Sequence, residues 1–152
     1  MENQDEKRLL TSSLIIPIIL VLIMWLVKIV ETVFDLDFSF LGIKPISVEG
    51  LPGIILFHFI HGDWEHLFAN TVPILVLGTS LYYFYRPIAN KTLLILMFST
   101  GFLTWCGARS GVHIGASGLV YGLTFFLMIS GFIRRDRKLI IISLIVVFLY
   151  GS

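Results

Sequence analysis

The sequence is short of net charge, of cysteine and of acidic residues inside its apolar runs. Its 11 basic and 10 acidic residues leave a formal net charge of +1, which indicates no nucleic-acid partner. Cys106 is the single cysteine, so it has no partner for an internal disulfide, and we interpret it as a small apolar filler. The apolar runs that start at Trp64, Thr92 and Gly115 have no carboxylate in their interior, which leaves aspartyl chemistry in a membrane without a residue to use.

Apolar residues, by contrast, are abundant and come in long runs. They make up 57% of the chain, and the mean hydropathy is +0.92, values that indicate an integral membrane protein. The first run, from about Leu9 to Val30, is long enough to span a hydrocarbon core of ~30 Å. No small-residue cleavage site follows it, so we predict a transmembrane helix after a polar tail at residues 1–8, and not a removed signal peptide.

The rest of the chain divides into one long loop and further apolar runs. Glu31 to Ile60 mixes charges, prolines and glycines, and we predict an ordered loop whose Leu51–Ile60 part is interfacial or re-entrant. The last apolar run begins at Leu139 and is about 14 residues long, too short to span a membrane. The further transmembrane helices are predicted at about Trp64–Tyr85, Thr92–Ala108 and Gly115–Ile133.

These runs predict an all-α fold: a polytopic transmembrane helix bundle that forms a single membrane domain over residues 1–152. If the runs alternate in direction, most basic residues fall on one side, which the positive-inside rule places in the cytoplasm together with the N-terminus. We therefore predict a multi-pass protein of the plasma (inner) membrane. The basic residues on that side are Lys7, Arg8, Arg86, Lys91, Arg134, Arg135, Arg137 and Lys138.

Polar residues near the starts of two helices form a candidate site. His66 and Asn70 are four residues apart and share one helix face, and Ser117 and Tyr121 share a face in the same way. Both helices start on the outer side, so the two polar faces are expected at one depth, around a shared cavity. A serine hydroxyl with imidazole and amide donors nearby is suited to acyl transfer, in which the donors stabilise an oxyanion.

Other interpretations of these residues remain open. Gly118 and Gly122 form a G-x-x-x-G face, so Ser117 could be a packing residue between close helices. His66 and Asn70 could equally be hydrogen-bonding links between helices.

A metal site and a transport path are the other two alternatives. His58, His61 and His66 could bind a metal, although no H-E-x-x-H motif is present. A small channel or transporter subunit is disfavoured, because the polar residues sit in one leaflet and do not line a full path.

Two segments resemble the rhomboid family of intramembrane serine proteases. They are His61-Gly62-Asp63-Trp64-Glu65-His66-Leu67-Phe68-Ala69-Asn70 and Gly115-Ala116-Ser117-Gly118, in the helix order and spacing of that family. The resemblance implies that Ser117 is the nucleophile and that His66 and Asn70 line the oxyanion hole. It implies supporting roles for His61, Gly115, Gly118 and Tyr121, the last as the ring on which the catalytic base packs. It also implies protein substrates with transmembrane segments, a lipid bilayer as the surroundings, and no metal or other cofactor.

The chain departs from the family pattern in one respect. The base of the family is a histidine at the start of a sixth helix, and this sequence ends within the fifth. We therefore expect about five of six membrane helices, an endopeptidase in the intact protein, and inactivity of the 152 residues alone. His113, four residues before Ser117, is a conceivable substitute base. The competing hypothesis is a catalytically inactive rhomboid-like protein that binds transmembrane segments.

Overall fold

The structure, a computed structural model, describes residues 2–150, with side chains from residue 4 onward, and most of these residues are helical. The all-α prediction is confirmed for these residues, where the β-structure consists of a single bridge between Ile43 and His113. Three short 3₁₀ turns, Ser39–Leu41, Val48–Gly50 and Phe57–Phe59, lie in the first loop. The helices are α1 (Glu2–Phe34), α2 (Gly53–Leu56), α3 (Trp64–Phe84), α4 (Ala89–Gly107), α5 (Ser117–Arg134) and α6 (Arg137–Tyr150).

Within the described residues, three helices are long and apolar enough to cross a membrane: Gln4–Phe34, Trp64–Phe84 and Ser117–Arg134. The third predicted helix is present as α4, with 19 residues, but its first turn carries Asn90 and Lys91, which lower its mean hydropathy. The first helix was predicted to start at about Leu9, but α1 begins at Glu2 and so includes the polar residues 2–8, while residue 1 lies outside the described residues. Asp5 in the first turn of α1 interacts favourably with the helix dipole, which favours this early start.

Helices α1 and α3 pack side by side in opposite directions. The Trp25 indole donates a hydrogen bond of 3.1 Å to the Thr71 hydroxyl, and its ring meets Phe68 edge-on with centroids 4.8 Å apart. Further along, Pro17 lies against Gly78, where a Cβ atom would come within 2.9 Å of the proline ring. A small residue at position 78 is therefore what lets the two helices approach so closely.

Helix α5 packs against α3, α4 and α6. At one end, the Tyr85 hydroxyl, just after α3, hydrogen-bonds the Ser130 hydroxyl near the end of α5. The ends of α3 and α5 thus lie together, and so do their starts. We call the end of the bundle where α3 and α5 begin, and where α1 and α6 finish, the site end. The buried apolar residues of α5 are Leu119, Val120, Leu123 and Leu127.

Candidate active site

The start of α3 is fixed by its own sequence. The Asp63 carboxylate accepts a 2.7 Å hydrogen bond from the His66 backbone N–H and so caps the helix. One turn later, Asn70 is fully buried, and its side-chain Nδ2 donates to the His66 carbonyl oxygen at 2.9 Å. The cap therefore sets where the helix begins, and His66 and Asn70 follow on one face.

The His66 ring lies directly on Gly115, in the loop before α5. A Cβ atom at position 115 would be 2.5 Å from His66 Cε1 and 2.6 Å from Nε2. The backbone of Gly115 also has φ of +110°, a conformation that side chains with a Cβ rarely adopt. Glycine is thus required here for two reasons: the backbone has a positive φ, and a Cβ atom would collide with the His66 imidazole.

His61 connects the turn before α3 to the same loop. It is buried, its Nε2 accepts a hydrogen bond from the Ala116 N–H at 3.4 Å, and its ring meets His66 with centroids 5.0 Å apart. Burial lowers the pKa of His61 from 6.5 to about 4, so the ring is neutral at physiological pH and can accept this bond. The first histidine of the motif therefore holds the residue before Ser117.

Backbone hydrogen bonds fasten the loop before α5 to the first loop. Ile43 and His113 exchange two bonds, both of 2.9 Å, and the Gly115 N–H donates to the Phe57 carbonyl oxygen at 2.8 Å. Helix α5 then starts at Ser117, with no side-chain cap at Ala116. Its first N–H groups are therefore not bonded by a capping side chain and are suited to an anion.

Ser117 and the glycines after it face different neighbours. A Cβ at Gly118 or Gly122 would contact Thr100 of α4, at 3.6 Å and 3.0 Å respectively, so the G-x-x-x-G face packs on α4. Ser117, instead, lies beside Tyr150 of α6, whose ring meets Tyr121 with centroids 5.7 Å apart. The packing role and the candidate catalytic role thus belong to two faces of one helix.

The structure brings His61, His66, Asn70, Gly115 and Ser117 together at the site end, with Gly118 and Tyr121 on the first turns of α5. It does not bring the two other histidines to the serine: among the described side chains, no histidine hydrogen-bonds to the Ser117 hydroxyl. His113 Nε2 donates to the Arg109 carbonyl oxygen at 2.9 Å, and His58 Nε2 donates to that of Met97 at 3.0 Å. The described residues contain no group of three side chains suited to a metal ion.

Two residues near the candidate site were not predicted from the sequence. Lys28 near the end of α1 donates to the carbonyl oxygens of His61 and Gly62, at 3.1 Å and 3.0 Å. Tyr150 donates a 2.8 Å hydrogen bond to Asn70 Oδ1. Lys28 could have been identified from the sequence, because it is a basic residue near the end of an apolar helix. The hydrogen bond between Tyr150 and Asn70 has no local sequence pattern, because the two residues are far apart in the chain.

Comparison with known proteins places this arrangement in a family. Residues 49–152 match the family model described as Rhomboid domain, which covers all the candidate site residues. The chain therefore belongs to the rhomboid family of integral membrane proteins.

Curated relatives come from mycobacteria. An uncharacterized protein of Mycobacterium tuberculosis is 34% identical over 145 residues, which cover 87% of this chain and 58% of the relative. One of Mycobacterium leprae is 32% identical over 143 residues, covering 86% and 54%. The chain thus spans a little over half the length of these relatives. No solved structure matches the sequence.

Proposed function

We propose that the protein is an intramembrane serine endopeptidase that hydrolyses peptide bonds in or near transmembrane segments of other proteins. The observation that carries this proposal is the meeting of Ser117, His66 and Asn70 at one end of the bundle. The proposal concerns the whole protein, because the relatives are considerably longer than the 152 residues described by this sequence.

The reaction proceeds in two steps. Ser117 Oγ attacks the peptide carbonyl carbon while a histidine base takes the hydroxyl proton, and collapse of the tetrahedral intermediate breaks the C–N bond. The base returns its proton to the leaving amine, and water then hydrolyses the ester by the same route and restores Ser117. We assign the base to a histidine outside residues 1–152. No step needs a metal or another cofactor.

The oxyanion would be held by groups from two helices. An N–H of the His66 ring, the second N–H of the Asn70 amide and the first backbone N–H groups of α5 are the donors. The positive end of the α5 dipole acts in the same direction. Loss of one such donor typically costs about 3–4 kcal/mol of transition-state stabilisation.

An apolar cleft between α3 and α6 supports a transmembrane segment as substrate. It has a volume of about 360 Å³ and ends beside Tyr150 at the site end. Apolar walls match the side chains of a membrane-spanning helix. The cleft is lined by Phe68, Ala69, Val72, Pro73, Val76, Ile145, Val146, Leu149 and Tyr150.

Covalent labelling tests the role of Ser117. We expect a fluorophosphonate probe to label the full-length protein and to leave the Ser117→Ala variant unlabelled, because the probe bonds to an activated serine oxygen. Equal labelling of the two proteins would contradict the proposal. A protein that crosslinks to transmembrane segments and neither cleaves them nor reacts with the probe would be the inactive binder instead.

The orientation in the membrane is a further part of the proposal. We place the site end outside the cytoplasm and the basic turn around Arg134 inside, following the distribution of basic residues. Cys106 is exposed near the end of α4 and offers a natural probe. A membrane-impermeant maleimide added to intact cells should modify Cys106 and not the Cys106→Ser variant. Modification only after the cells are opened would reverse the assignment.

A further inference from the structure

The hydroxyl of Tyr150 joins the last described helix to the buried amide of Asn70. The donor is the tyrosine O–H, the acceptor is Asn70 Oδ1, and the distance is 2.8 Å. Asn70 is fully buried, so its amide has no water with which to exchange this bond. The bond therefore helps to determine how the Asn70 amide, a candidate oxyanion donor, is oriented.

The two hydrogen bonds of Asn70 select the same orientation of its amide. Nδ2 donates to the His66 carbonyl oxygen, which can only accept, while Oδ1 accepts from Tyr150. A flipped amide would bring Oδ1 against the carbonyl oxygen of His66. The selected orientation leaves one N–H of the amide unused by these two bonds.

The tyrosine ring is itself held by the helix that carries the serine. Tyr121 lies one turn after Ser117 on α5, and its ring meets that of Tyr150 at an interplanar angle of 66° with centroids 5.7 Å apart. Ser117 lies beside the same tyrosine. A connected path thus runs from α5 through Tyr150 of α6 to Asn70 of α3.

We propose that Tyr150 is a positioning residue, whose hydroxyl orients the Asn70 amide so that its free N–H is available to the oxyanion. The proposal rests on the proposed function, since it assigns Asn70 to the oxyanion hole. Tyr150 acts on the oxyanion through Asn70, and its effect through this amide is separated from its contact with Ser117 by removing Asn70. Without its hydroxyl, the amide loses one of the two bonds that select its orientation.

A double-mutant cycle on the full-length protein tests this role. The readout is the saturating rate at which a fluorophosphonate phosphorus bonds to Ser117 Oγ, with loss of fluoride and transfer of the hydroxyl proton to the base. Tyr150→Phe should lower this rate about five- to tenfold, the value of one hydrogen bond, and leave the half-saturating probe concentration unchanged. In an Asn70→Ala background, the same substitution should change the rate less than about twofold.

A matched control is Tyr83→Phe at the opposite end of α3, where the hydroxyl faces Glu6 of α1. This variant should label at the wild-type rate. An equal loss from Tyr150→Phe in both backgrounds, or no loss in the wild-type background, would overturn the role of Tyr150. A fall in folded fraction would lower the final extent of labelling and not the saturating rate, so it cannot imitate the expected loss. Undiminished labelling of Ser117→Ala would instead overturn the proposed function, and no labelling of wild type would overturn both.

Discussion

Two ion pairs lie near the site end, and they differ in what they hold together. The side chains of Lys28 and Glu31 are 13% and 7% exposed, whereas those of Lys44 and Glu49 are 42% and 77% exposed. The buried pair connects α1 to the turn at His61 and, through Glu31, to the Phe38 N–H at 2.9 Å. The exposed pair joins two residues of one loop. The Lys28–Glu31 pair therefore holds three segments together, whereas the Lys44–Glu49 pair holds only residues of a single loop.

The two positive-φ glycines of the loop before α5 repeat this contrast. Gly115 has φ of +110° and lies against the His66 ring, while Gly111 has φ of +138° and open space where a Cβ atom would lie. We call the surroundings of Lys28, His61 and Gly115 the anchored side, and those of Lys44 and Gly111 the exposed side. The difference indicates that the anchored side fixes the geometry of the site.

The largest effect is expected at Lys28. Lys28→Met leaves the Glu31 carboxylate buried without its cation and removes two bonds from the turn at His61, so the free energy of unfolding should fall by about 3–5 kcal/mol. The measurement is denaturant unfolding in detergent micelles. The double variant Lys28→Met/Glu31→Gln should recover part of the loss, because it removes the unpaired charge. A loss below about 1 kcal/mol would show that the pair is not an anchor.

The second largest effect is expected at Gly115, and it should differ from that of the same substitution at Gly111. Gly115→Ala forces a strained backbone and a contact with the His66 ring, and should cost about 2–3 kcal/mol and at least tenfold in fluorophosphonate labelling. Gly111→Ala meets the backbone strain alone, about 1–2 kcal/mol, and should label at the wild-type rate. Equal labelling rates for the two variants would remove the contrast between the anchored and exposed sides.

Acid should weaken the fold through the buried His58, which lies outside the anchored side and bonds the Met97 carbonyl oxygen. Burial lowers the pKa of His58 from 6.5 to about 4, so its neutral form stabilises the fold fully above pH 6.5, and this contribution is lost as the pH falls towards 4. At pH 5 the loss from this histidine should be about 1–2 kcal/mol. His58→Gln, which keeps a donor for the Met97 carbonyl, should be less sensitive to acid than wild type. An identical pH dependence of the two proteins would contradict this assignment.

The smallest effect is expected on the exposed side. Lys44→Met removes a cation whose hydrogen bond lowers the pKa of Glu49, but both side chains remain in contact with water. Salt weakens such a pair further. The free energy of unfolding should stay within experimental error of wild type. A loss comparable to that of Lys28→Met would mean that burial does not distinguish the two pairs.

The sequence predicted the helices far better than the loops. Apolar runs place α3, α4 and α5 within a few residues of their observed bounds, because each run must satisfy its own backbone hydrogen bonds. The start of α5 was predicted two residues early, at Gly115, whose positive φ keeps it outside the helix. The path of the first loop depends on distant partners. A Cβ at Gly101, for example, would collide with the Ile54 carbonyl oxygen, a contact that no local pattern reveals.

The same distinction holds for the site. The four-residue spacings of His66 with Asn70 and of Ser117 with Tyr121 predict which side chains share a face. The alternation of the helices predicts that both faces lie at one end. The roles of these residues stay predictions that labelling will test. Lys28 and Tyr150 were missed because their partners are carbonyl and amide groups of distant segments, which have no signature in a single sequence.

The bridge between Ile43 and His113 has a consequence for the order of folding. Its two partners are separated by α2, α3 and α4, so closing it requires a long loop to lose conformational freedom. Local helices form much sooner than such contacts between remote segments. The loop that leads to Ser117 can be held in place only after the first loop has docked. Ser117 therefore reaches its native surroundings only when the rest of the bundle has folded. In a partly folded chain, its hydroxyl lacks the neighbouring groups of the candidate site.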